Sequence, residues 1–114
     1  MEVTGKLGWT AQDYQMRSAR THNTELSDED AITNAALGLA GEAGEVVELV
    51  KKARYHDKPY SVKDIRDELG DVLFYLTWMA SCHALTLSEI MEANVEKLKR
   101  RYPEGFVEGG GIRG

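Results

Sequence analysis

Three observations predict an all-α protein built as a four-helix-type bundle. Four segments open with a hydroxyl residue followed three positions later by an acid, apolar residues recur at helical spacing, and short polar connections separate the last three segments. Thr10 to Asp13, Ser27 to Asp30, Ser61 to Asp64 and Thr86 to Glu89 each resemble a capping box, in which the hydroxyl accepts from a free N–H in the first helical turn. The pattern predicts a short helix over 10–22 and longer ones over 31–54, 62–83 and 87–101. "HDKPYS" and "SCHALT" are the connections, and no segment sustains strand alternation.

The 114 residues suit one domain, taken as 1–103, with Pro103, Gly105 and the closing "GGGIRG" marking 104–114 as a tail expected to be mobile. A hydrophobic fraction of 42% and a charged fraction of 29% are ordinary for a water-exposed domain. No apolar run approaches the ~20 residues that span a bilayer, so no membrane partner is expected. "MEVTGKLGW" lacks the layout of a secretory signal, and the lone Cys82 allows no intrachain disulfide; a cytoplasmic location is the expectation. A net charge of −5 argues against a nucleic-acid surface.

The second predicted helix carries "GLAGEAGEVVELVKK", with three glycines that each cost about 1 kcal/mol relative to alanine in a helix interior. On a helical wheel Glu42 falls within about 40° of Val46 and Leu49, inside the apolar stripe, with Glu45 about 60° away. Glu48 falls on the side of Lys51 and Lys52, where a solvated acid belongs. In the third helix Glu68 lies within about 40° of Tyr75, Met79 and Val72, and Asp71 again about 60° away. Acids three apart have Cβ atoms about 5–6 Å apart, and antiparallel packing across "HDKPYS" would let the two pairs face each other.

An isolated acidic pair on an amphipathic helix is ordinarily a solvated face. Two pairs inside apolar stripes are a different matter, because burying carboxylates together is costly without a compensating positive charge. Oxygen-only ligands suit Mg²⁺ first and Mn²⁺ as its substitute, while zinc sites normally include His or Cys. His22, His56 and His83 are not spaced as ligands beside these pairs, which counts against a di-iron carboxylate bundle. Assigning the four acids to one site leaves the rest of the chain near a net charge of −1. Gly38, Gly41 and Gly44 form a strip beside the acids where another helix or a phosphorylated ligand can approach the backbone.

On these residues the chain resembles the MazG-type nucleoside triphosphate pyrophosphohydrolases, an all-α group whose signature is Glu-x-x-Glu, a spacer, then Glu-x-x-Asp. Here it reads Glu42-Ala-Gly-Glu45 and Glu68-Leu-Gly-Asp71 with 22 residues between, and the resemblance runs from about Asn34 through "NVEKLKRRYP". It implies a homodimer or homotetramer, Mg²⁺ held by Glu42, Glu45, Glu68 and Asp71, and water attacking the α–β phosphoanhydride of a nucleoside triphosphate to release a monophosphate and pyrophosphate. Asn94 and Lys97 resemble the family's Asn-x-x-Lys pattern. With Arg101 they share one face of the last helix and are candidate substrate ligands, whereas Lys99 and Arg100 equally suit the helix dipole. Lys52, beside Glu45 on the wheel, is a further substrate candidate, although a basic residue there ordinarily faces solvent. Tyr75 suits either a base or ribose contact or the core, and Trp78 either the pocket lining or, as the favoured reading, an oligomer contact. His22 and His56 are expected at the surface, and Cys82 and His83 show no catalytic partner.

Many relatives carry Glu-Glu-x-x-Glu where this chain has Gly41 before Glu42, which leaves the general base open among Glu42, Glu45 and metal-bound hydroxide. Other substrates of the same fold, dUTP, dCTP or phosphoribosyl-ATP, fit the same residues. A non-catalytic helical interaction module is the reading of another class, in which the acids are only a binding face.

Overall fold

A computed structural model describes residues 8–106. Four α-helices follow in order: α1 (Ala11–Ser18), α2 (Asp28–Tyr55), α3 (Val62–Cys82) and α4 (Leu87–Arg101), with a 3-10 turn at Ala19–Thr21. The first predicted helix is therefore shorter than 10–22, while α2 begins three residues before its apolar periodicity does. Ser27 caps it there, its hydroxyl accepting from the Asp30 N–H, and Asp28, Glu29 and Asp30 place negative charge on the positive end of the helix dipole. Reciprocal capping boxes form at Thr10, Ser61 and Thr86; at Ser27 the hydroxyl alone bonds.

α2 and α3 form the principal packed pair, and their antiparallel register can be followed along its length. Asp28 at the start of α2 acts on Cys82 at the end of α3, Gly38 lies against Tyr75, and Glu42 meets Glu68 and Asp71. The connection between them turns at Asp57, which takes φ 53°, before Pro59 forbids further helix. At the end of α3 the Leu85 N–H bonds the Ala80 carbonyl at 2.9 Å and the Ala84 N–H the Ser81 carbonyl at 3.1 Å, with Ala84 at φ 56°. This is a Schellman ending in which alanine occupies the left-handed position that glycine usually fills.

α4 packs against α1, and one side chain pins the junction. Gln15 Nε2 donates to Ser81 Oγ and to the Leu85 carbonyl, each at 3.0 Å, and its Oε1 accepts from the Leu87 N–H at 2.8 Å. The last bond satisfies one of the free N–H groups of the first turn of α4.

Among the described residues Ala35, Thr77, Trp78, Ala80 and Leu87 are buried, and many large apolar side chains are not: Leu37 is 69% exposed, Val47 61% and Leu69 52%. Trp78 belongs to this core, where His22 stacks on it at 4.5 Å with 8° between the rings. The expected oligomer contact for Trp78 and the expected surface position for His22 are both corrected, since each ring buries the other's apolar face. Of the expected tail, residues 104–106 carry a turn in which the Gly105 N–H bonds the Tyr102 carbonyl, and 107–114 lie outside the described residues. Among the described residues no helix is long and apolar enough to cross a membrane.

Candidate metal centre

The register of α2 and α3 sets the chemistry. One carboxylate oxygen from each of Glu42, Glu68 and Asp71 lies within 4.8 Å of the others, Glu42 and Glu68 half-buried and Asp71 exposed. Glu45 is exposed and stands outside this trio, yet its charge still reaches Glu68. Burial pushes the Glu68 carboxyl above the usual glutamate range; repulsion from Glu42 and a hydrogen bond with it add to the effect, followed by the charges of Glu45 and Asp71. No cation is among the groups acting on Glu68.

The three carboxylates crowd negative charge together. Carboxylate oxygens at this separation match the donor type and spacing of a hard divalent cation, Mg²⁺ or Mn²⁺, and no histidine or cysteine joins the trio to favour a softer ion. Glu42, Glu68 and Asp71 are the residues that would hold the ion, with Glu45 beside them. A bound divalent cation supplies neutralisation of phosphate charge and a lowered pKa for water.

A family model described as the MazG nucleotide pyrophosphohydrolase domain matches residues 31–106, which include all four acids. The chain belongs to this family. Gene 37 protein of Mycobacterium phage L5 is 33% identical to this MazG chain over 87 residues, covering 72% of this chain and 75% of its own length. No solved structure matches.

The remaining candidates divide by helix. Tyr75 lies across Gly38, its ring stacked on Trp78 at 6.2 Å and edge-on to Phe74 at 5.1 Å, so it forms the rung of the MazG pair next to the acids. Lys52 is held 3.9 Å from Glu48, which also takes Lys51 at 3.6 Å; both are exposed pairs of little energetic weight. Asn94 and Lys97 are exposed on α4, whose packing is with α1, and Arg101 is half-buried at its end. The acids are thus assembled within one chain, and the α4 candidates stand on a helix packed elsewhere.

Two contributors escaped sequence reasoning. Tyr14 of α1 has its hydroxyl raised above the usual range by burial and then by the Asp71 carboxylate, which brings α1 to the flank of the site. Gln15, next to it, anchors α1 in that position. Neither belongs to a motif, because both act through contacts between residues far apart in the chain.

Proposed function

We propose that this MazG domain is a Mg²⁺-dependent pyrophosphohydrolase that cleaves (d)NTPs to monophosphate and pyrophosphate. The observation that carries this reading is the convergence of three carboxylate oxygens from two helices within 4.8 Å. A triphosphate brings further negative charge, which bound divalent cations would neutralise. Glu42, Glu68 and Asp71 would hold the ion, and Glu45, outside the trio yet one turn from Glu42, would serve as the general base for the attacking water.

The exposed apolar side chains support assembly into a dimer or tetramer. Leu37, Val47 and Val50 on α2, Leu69 and Leu73 on α3, and Met91, Val95 and Leu98 on α4 are all exposed, apolar surface that a second copy would cover. A second copy covering them would also bring Asn94, Lys97 and Arg101 of one α4 towards the phosphates held at another copy's acids.

The test is a panel of common and damaged (d)NTPs, with dUTP, dCTP and phosphoribosyl-ATP included, followed by pyrophosphate release with and without Mg²⁺. Metal-dependent pyrophosphate release from at least one nucleotide is expected. No release from any of them in the presence of Mg²⁺ or Mn²⁺ would favour the interaction-module reading.

A further inference from the structure

The three glycines of "GLAGEAGE" do not have the same surroundings. A side chain added at Gly41 or Gly44 would meet no atom within 4 Å, whereas one at Gly38 would run into Cδ1, Cε1 and, at 2.6 Å, Cζ of Tyr75. Carbon atoms in contact rest about 3.5–4.0 Å apart, so a methyl group at Gly38 requires a displacement on the order of 1 Å. The ring has little room to yield. It is stacked on Trp78 with 14° between the planes and lies edge-on to Phe74, while Trp78 is itself buried beneath His22. The less obstructed movement is separation of α2 from α3.

That slot is one helical turn from the acids. Gly38 precedes Glu42 by four residues, and Tyr75 follows Asp71 by four, about 6 Å along each axis. Separating the helices there would pull Glu42 away from Glu68 and Asp71. Mg²⁺ demands near-ideal octahedral geometry at about 2.0–2.1 Å, so a shift of this size at one ligand is not absorbed.

We propose that Gly38 is a positioning residue for the cation: its missing side chain lets the Tyr75 ring lie across α2 as a spacer that fixes how far Glu42 stands from Glu68 and Asp71. The inference rests on the metal-centre reading above. It assigns to one glycine a role that Gly41 and Gly44 do not share.

The test is Mn²⁺ titration, read as free Mn²⁺ by electron paramagnetic resonance, on the full chain and on Gly38→Ala, Gly44→Ala, Tyr75→Ala and the Gly38→Ala/Tyr75→Ala double variant. Far-UV circular dichroism checks helicity in each. Gly38→Ala should weaken Mn²⁺ binding about tenfold or more, the scale on which residues that orient metal ligands act. Gly44→Ala should bind as the parent does. Tyr75→Ala, which removes the spacer, should also weaken binding, and adding Gly38→Ala to it should cost no more than about threefold further, because the clash is gone. Parent-like binding by Gly38→Ala overturns the proposal, and so does an equal loss in both Tyr75 backgrounds. Should Gly38→Ala fail to fold, unchanged affinity in Tyr75→Ala overturns it instead. Absence of Mn²⁺ binding in the parent chain overturns the metal centre itself, a result distinct from a parent that binds and a Gly38→Ala variant that binds equally well.

Discussion

The acidic trio of the α2–α3 pair and the basic C-terminal half of α4 are treated differently by the fold. The pair is closely packed, rung by rung, and crowds negative charge at one point along its length. Helix α4 carries Lys97, Lys99, Arg100 and Arg101, is exposed from 91 to 100, and among the described residues packs chiefly on α1. The difference teaches that intrachain register is enough to converge carboxylates from two helices, while the exposed cations of α4 are carried on a helix packed elsewhere. Acids destined for a metal must be prearranged, because the ion tolerates little displacement. Long cationic side chains can close on a bound polyanion later.

The largest expected effect tests the acidic half. Glu42→Gln or Asp71→Asn should lower turnover by about 10³-fold or more, since on the proposed reading each would remove a cation ligand whose loss costs several kcal/mol of charge stabilisation. Helical circular dichroism should be unchanged. Wild-type turnover in either variant under saturating Mg²⁺ would dissolve the contrast between the two regions.

The cationic half is tested next. Lys97→Ala should reduce kcat/KM by about 10- to 100-fold, the worth of one hydrogen bond to a charged group, with Mn²⁺ affinity unaltered. An unaltered kcat/KM would remove α4 from the site. Val95→Glu, on the exposed apolar stripe of α4, should convert the assembly to monomer in size-exclusion chromatography and reduce activity with it; a parent chain that already elutes as a monomer breaks the assembly reading.

A pH series sharpens the comparison further. The folded-state pKa of Glu68 is raised, so in the metal-free protein its contribution to stability is fully present below the usual glutamate pKa and is lost as pH rises through the folded value. On the proposed reading, a divalent cation would replace the proton and reverse that loss. The rise in Tm on adding Mg²⁺ should therefore grow with pH across this range, approaching the equivalent of about 2.7 kcal/mol when Mg²⁺ is 100-fold above its Kd. Glu68→Gln should flatten the pH dependence, and a Tm shift that is level with pH in the parent would argue against cation binding at Glu68.

The smallest effect concerns the joint between the two regions. Ala84 sits at φ 56° in the turn from α3 to α4. Ala84→Gly should stabilise the chain by about 0.5–1 kcal/mol, the left-handed penalty less the added freedom of the unfolded chain, as measured by urea unfolding. Destabilisation would mean that the Ala84 methyl makes a contact worth more than its strain.

Much of this was legible in the residues themselves. Hydroxyl–acid spacing marked four helix starts because capping is local chemistry, and the wheel separated Glu42 and Glu68 from Glu48 because a helix fixes which residues share a face. Family membership followed from the signature of the four acids. Local pattern could not say that Glu45 stands outside the trio, that Trp78 is core beneath His22, or that Gln15 ties α1 to the α3–α4 turn. Those depend on where one helix meets another, a relation between residues up to 72 positions apart. The sequence by itself determined the helices, their faces and the charge they carry, since these arise within a few residues of chain. Only the tertiary structure decided which acid oxygens converge and which of three glycines is pressed by a ring, because separation between helices is set by packing across the pair.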